Sequence, residues 1–233
     1  MATTEQLTEN TVPVLDHGFV ALDGALASDL AVVNGARVSF NQASDEMTER
    51  DGGLIRFLMR EGHGSPFEHG YFRFIVKAPL FVVREHHRHR AGHSYNEWSG
   101  RYSKMEPEFY VPDYVRTQIG KPGAYSFEPV DDATREAVQR EIEDNATRAF
   151  QAYERMLEQG VAKEVARTVL PLSTYTKYYW SCNPRSLMHF CSLRNHEAAQ
   201  FEIQQYAAAA ESFLERLMPI THAAFVERDR VAP

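Results

Sequence analysis

Residues 84 to 104 (Arg-Glu-His-His-Arg-His-Arg-Ala-Gly-His-Ser-Tyr-Asn-Glu-Trp-Ser-Gly-Arg-Tyr-Ser-Lys) crowd five cations and four histidines into 21 positions. The cations are Arg84, Arg88, Arg90, Arg101 and Lys104, and the histidines are His86, His87, His89 and His93. The whole chain carries a formal net charge of -7, so this local excess of positive charge calls for an anion held in a site. Phosphate is the first candidate, because a guanidinium fork binds it through two parallel N–H donors. Ser94 and Ser99 add hydroxyls, and Asn96 and Glu97 supply the mixed donors and acceptors that the edge of a heterocycle requires.

The histidine spacings also suit a metal, with His89 and His93 at i,i+4 and His86 and His89 at i,i+3. The interleaved arginines oppose a second positive charge, and only Glu85 and Glu97 stand near as carboxylates, so no metal is expected. A solvated polar helix face is the plain alternative. Apolar segments on both sides must bury part of this block, which favours a pocket. The chain has no Gly-x-Ser-x-Gly elbow, no P-loop and no Gly-x-Gly-x-x-Gly. Cys182 and Cys191, nine apart, are expected as reduced thiols packed like small hydrophobes. A site without a nucleophile points to a bound cofactor that does the hard step while the protein positions and polarises.

The elements that must position these residues follow from pattern and punctuation. Val14 to Ala21 is expected as a first strand and a helix begins at about Ser28, its N-cap. Ser44 is expected to cap a second helix with Met47, Leu54, Phe57 and Leu58 on its apolar stripe and Gly62 at its end. Tyr71 to Lys77 is a strand. Pro79 then suits the first position of a helix with Leu80, Val83 and His87 on one face, where Arg84 and Arg88, and Glu85 and His89, pair at i,i+4. Residues 106 to 131, with four prolines and two glycines, are the most loop-like. Asp132 to about Gln159 is the longest helix, Val161 to Leu170 a short one and Thr174 to Trp180 a strand. Asn183-Pro184 opens a helix through Arg194, and another runs from Ala198 to Met218. Helices dominate and the strands do not alternate as βαβ units, so the class is α+β, with a small mixed or antiparallel sheet.

The 233 residues are expected to form one domain over 14–230 behind a tail, Met1 to Pro13, that lacks the apolar segment of a secretory signal. No stretch reaches the roughly 18 apolar residues of a membrane span. The acidic total argues against nucleic-acid binding. A cytoplasmic protein is expected.

Several segments together resemble the flavin-dependent thymidylate synthases. Arg88-His89-Arg90 followed by Ser94-Tyr95-Asn96-Glu97-Trp98-Ser99-Gly100-Arg101-Tyr102 is similar to that family's signature, Arg-His-Arg, seven residues, then Ser. Gly62 to His69, Val76 to Val82, Glu164 to Pro171, Asn183 to Leu187 and Ser192-Leu193-Arg194 extend the resemblance over almost the whole chain. The resemblance implies the fold of the thymidylate synthase-complementing type, and a homotetramer that binds FAD and converts dUMP to dTMP. Methylenetetrahydrofolate would be the one-carbon donor and NADPH the reductant. It assigns Ser65, Arg88, His89, Arg90, Glu97, Asn183, Arg185 and His189 to FAD. Glu85, Arg88, Glu97, Ser99, Gly100, Arg101, Arg167 and Arg194 fall to dUMP, with Arg194 polarising the uracil. Otherwise Arg194 would be a helix-end cation favoured by the dipole and in no need of a partner.

Three departures stand out. Eight residues, Ala91 to Trp98, separate Arg90 from Ser99, one more than the signature's seven, so either a turn bulges at 91–93 or one half shifts register. Glu85 replaces a common glutamine, and a carboxylate there repels a phosphate or an ionising uracil. His189 replaces a common asparagine and makes that contact pH-sensitive. A nucleotide- or flavin-binding protein on the same fold, altered in catalysis, is the alternative to an active enzyme.

Overall fold

The computed structural model describes residues 10–233. A five-stranded antiparallel sheet in the order β1-β2-β3-β7-β4 forms its centre. The strands are β1 (Thr11–Val14), β2 (Gly18–Leu26), β3 (Tyr71–Pro79), β4 (His93–Glu97) and β7 (Tyr175–Cys182). Where one strand over Val14 to Ala21 is expected, the chain instead makes a hairpin, turning at Leu15 in the left-handed region (φ 58°). Thr11 to Pro13 therefore belong to the sheet and not to a tail, while residues 1–9 lie outside the described part of the chain.

β3 shows why this sheet has one dry face. Its residues alternate, and Phe72, Phe74, Val76 and Ala78 are all buried, as period-two patterning requires. The Phe74 ring lies 4.9 Å from Trp180 of β7 and 5.7 Å from Phe213. Phe213 belongs to a helix over Phe201–Leu217. From that same helix Tyr206 donates to the Lys77 carbonyl at 2.8 Å, so the helix is fixed to the sheet by both apolar packing and a backbone contact.

The helices in chain order are α1 (Asp29–Arg37), α2 (Glu49–Arg60), α3 (Leu80–His86), α4 (Asp132–Glu158), α5 (Lys163–Ala166), α6 (Pro184–Arg194), α7 (Phe201–Leu217) and α8 (Pro219–Val226). Ser28 caps α1 by accepting from the Ala31 N–H at 3.1 Å. Ser44 does not cap α2. Thr48 stands at that N-cap, where Asp51 accepts from both its N–H and its hydroxyl. A Thr with Asp three residues on outcompetes a lone Ser, and Ser44 bonds to Asn34 and Arg37 of α1 instead. On α2 the buried positions are Ile55, Leu58 and Met59, whereas Phe57 faces outward beside His63.

The 106–131 stretch holds a second sheet, β5 (Arg116–Lys121) against β6 (Ala124–Pro129), closed by Pro122-Gly123. Its sequence reads as loop because neither face of the ribbon is buried. Arg116 at its root makes a two-pronged ion pair with Glu202 of α7, at 2.9 and 3.0 Å. A buried carboxylate, Glu211 of α7, gathers Asn195 (2.7 Å), His222 of α8 (3.0 Å) and Arg230 (3.0 Å). α4 packs through Phe150 and Tyr153 on Met105 and Ala166, a satellite core apart from the main one.

Phe74→Ala should destabilise the protein by about 3–5 kcal/mol, the usual cost of emptying a fully buried phenylalanine site. Urea unfolding followed by tryptophan fluorescence would measure it.

Candidate active site

The signature is not one continuous helix. α3 ends at His86, and N–H groups of His87, Arg88 and His89 bond to the carbonyls of Val83, Glu85 and His86, tightening the chain into a turn. The turn sorts the side chains. His86 and His89 go inward, while Arg84, Arg88 and Arg90 stay exposed. Pro79 is the last residue of β3 and the N-cap of α3, one position earlier than expected.

The additional residue at 91–93 is absorbed in the turn. Gly92 takes a left-handed conformation (φ 73°), and a Cβ there would collide with Ser186. From His93 to Glu97, β4 then pairs with β7 in unbroken register, His93 opposite Cys182 and Glu97 opposite Tyr178. This strand was not legible in the sequence, because His-Ser-Tyr-Asn-Glu lacks an apolar alternation.

Between α3, β4 and the outer end of α6 lies an open cavity of about 1060 Å³. Of the residues the resemblance assigns, Glu85, Arg88, His89, Arg90, Glu97, His189 and Arg194 line it. Arg84, His87 and His93 line it as well. The resemblance assigned those three no ligand, although Arg84 shares the i,i+4 face with Arg88. Among the described residues the guanidiniums of Arg84, Arg88 and Arg90 have no ion-pair or hydrogen-bond partner. Three unneutralised guanidiniums on one wall make a strong field for an anion.

Arg194 is not free. Its guanidinium donates to Glu85 Oε2 at 3.0 Å and, through Nε, to His89 Nε2 at 3.0 Å. The Glu85 carboxylate is thus held in an ion pair inside the protein. Because His89 Nε2 accepts, its ring is neutral with the proton on Nδ1. His93 Nδ1 accepts from Trp180 Nε1 at 2.9 Å, which fixes the opposite tautomer. Burial above all pushes both imidazoles down, to about 4, helped at His89 by the Arg194 charge and at His93 by His189. His86, enclosed by Trp180, Phe190 and Tyr95, is held well below its ordinary value by burial. Its Nδ1 meets the Tyr178 hydroxyl at 2.6 Å. Glu97 accepts from Thr176 at 2.9 Å. Desolvation raises the Glu85 carboxyl against the opposing pull of Arg194, and the Glu202 carboxylate adds to the rise.

The remaining assigned residues lie outside the cavity, in two places. Asn183 caps α6 by accepting from the Ser186 N–H, and Arg185 donates to Glu68 and to the Pro233 carbonyl and lies against Gly64, the residue before Ser65. Ser99, Gly100 and Arg101 follow β4, with Gly100 against Arg167 and Arg101 paired to Glu164. Both cysteines are free and buried, and burial pushes their thiols well up, so neither thiol offers a reactive thiolate.

A profile of the thymidylate synthase complementing protein family matches residues 22–220. The chain belongs to this family. It is 48% identical over 228 residues to the flavin-dependent thymidylate synthase of Streptomyces coelicolor, covering 92% of this chain and 93% of the relative. The flavin-dependent thymidylate synthase of Thermotoga neapolitana is 48% identical over 217 residues, with 93% and 94% covered. Among solved structures, the UMP/dUMP methylase PolB from Streptomyces cacaoi, bound with 5-Br dUMP, superposes with a TM-score of 0.87 at 43% identity. That comparison covers 95% of this chain and 100% of the other. The antiparallel sheet and helical layers described above are the fold of this family. Among the described residues no helix is long and apolar enough to cross a membrane.

The neutral histidines of this family member give its stability a pH signature. Unfolded, His89 and His93 accept protons near the ordinary value of about 6.5; folded, they resist until about 4. Their contribution is full above about 6.5 and is lost as pH falls toward 4, at up to about 1.4 kcal/mol per pH unit for each group. Urea midpoints taken between about pH 7 and pH 5 should fall accordingly. The slope should be shallower in His89→Asn.

Proposed function

We propose that the chain is a flavin-dependent thymidylate synthase, which converts dUMP to dTMP with methylenetetrahydrofolate as one-carbon donor and NADPH as reductant through FAD. The observation that carries this is the wall of unpaired guanidiniums, Arg84, Arg88 and Arg90, on a large cavity, in a protein whose thiols are both buried away from it. The names of the relatives and the 5-Br dUMP in PolB support it further. A methylene unit becomes a methyl only with two more electrons, so a reductant belongs to the reaction.

The residues fit a flavin. Free arginines suit its diphosphate, flat neutral imidazoles at His89 and His93 suit its rings, and the buried His87 Nε2 has no protein partner. FAD would be held by Ser65, Arg88, His89, Arg90, Glu97, Asn183, Arg185 and His189, and when bound supplies the reducing electrons. Glu85, Arg88, Glu97, Ser99, Gly100, Arg101, Arg167 and Arg194 would hold dUMP. Arg194 orients a planar donor pair toward negative charge growing on the uracil ring, a contact worth most in the transition state. The separation of these residues into three places on one chain supports assembly of complete sites from several copies, in a homotetramer. A cytoplasmic setting suits the substrates.

Purified protein that is yellow, and that forms dTMP from dUMP with methylenetetrahydrofolate and NADPH, would establish the activity; a colourless protein that forms none would end this reading. Arg88→Ala should weaken both flavin and dUMP binding by roughly ten- to a hundred-fold, the loss of a charge-assisted contact worth about 1.5–3 kcal/mol. Equilibrium titration of each ligand would measure it. Cys182→Ala and Cys191→Ala should leave turnover within a few-fold of wild type in steady-state assays. Total loss in a folded variant would instead demand a protein thiol as nucleophile.

A further inference from the structure

Resting on the cavity as a nucleotide site, Glu85 has a role beyond contact. Its carboxylate has one protein partner among the described residues, Arg194 at 3.0 Å. Around it on α3 and the turn beyond stand Arg84, His87, Arg88, His89 and Arg90; α6 presents His189 and Arg194, and β4 presents His93 and Glu97. The Glu202 carboxylate of α7 repels it as well. An incoming nucleotide anion brings negative charge to a wall that already holds two carboxylates, and it excludes the water that solvates them.

We propose that Glu85 takes up a proton when the nucleotide binds, releasing Arg194 from a full ion pair and leaving its charge for the ligand. The proton passes from solvent to the carboxylate oxygen, and no bond to the ligand forms or breaks. A protonated carboxyl presents one O–H donor and one carbonyl acceptor, the same two roles as the carboxamide of glutamine. The glutamate thereby becomes, in the bound state only, what a glutamine is permanently. Desolvation already raises this carboxyl in the free protein against the pull of Arg194, the direction in which exclusion of water by a ligand would move it further. His89 and His93 are poor competitors for the proton, since Arg194 and Trp180 already donate to one nitrogen of each. Glu85 is a positioning residue: it acts through Arg194.

Calorimetric titration of dUMP into the purified protein, repeated in buffers of different ionisation enthalpy, counts protons exchanged on binding. The ionisation of the dUMP phosphate is common to every variant and cancels in their difference. Wild type should take up more protons than Glu85→Gln, the difference approaching one proton at mildly acidic pH and shrinking as pH rises. The ratio of their affinities should change correspondingly, by at most tenfold per pH unit. Glu85→Asp, which keeps a carboxyl, should retain the uptake. Equal proton counts in wild type and Glu85→Gln overturn the proposal, as does Glu85→Asp behaving like Glu85→Gln. A protein that binds no dUMP in any form overturns the nucleotide site itself, and the role of Glu85 with it.

Discussion

The guanidinium of Arg194 is the point at which the two halves of the site meet. It projects from the last turn of α6 and grips Glu85 and His89, which belong to the end of α3 and the turn beyond. Without it the wall of α3 would carry an uncompensated carboxylate in a half-buried position, which costs far more than an exposed one. With it, one planar fork holds a carboxylate and an imidazole in fixed orientation, and its charge adds to the burial that keeps that imidazole neutral. Position and tautomer at the centre of the cavity are thus set by a single side chain.

Beneath the cavity the protein spends its aromatic residues on holding histidines dry. Trp180 of β7 donates to His93, lies against His86 and packs on Phe74. The sheet core therefore continues through Trp180 directly into the site floor. The arginines on the exposed side have the reverse environment: solvated, unpaired and ready for an anion. A wall with neutral rings at its base and free cations at its rim suits a ligand that has both a flat heterocycle and phosphates.

Much of this was written in local sequence. The Arg-His-Arg block marked the wall of free guanidiniums, the Asn183-Pro184 start fixed α6, and the alternation of Phe72, Phe74 and Val76 gave β3 its face. What stayed illegible depends on distant partners. Arg194 and Glu85 are 109 positions apart, and nothing in Ser192-Leu193-Arg194 indicates that the helix-end cation is paired. β4 is a strand because β7 offers it a ladder, not because its own polar residues prefer one. The β5–β6 ribbon escaped notice for a related reason: with both faces wet, it shows no hydrophobic period. Its anchor, the Arg116–Glu202 pair, joins residues far apart in the chain.

The buried Glu211 carboxylate sits directly behind this arrangement. At the end of α6 it grips the C-cap residue Asn195, the immediate neighbour of Arg194, and its other partners come from α8 and the Arg230 segment. Three separate stretches of chain are thereby referenced to one point, from which the Arg194 side chain extends by a set length. The guanidinium then works as a ruler: through it the Glu85 carboxylate and the His89 ring are held at a fixed reach from a buried anchor that also fixes the end of the chain.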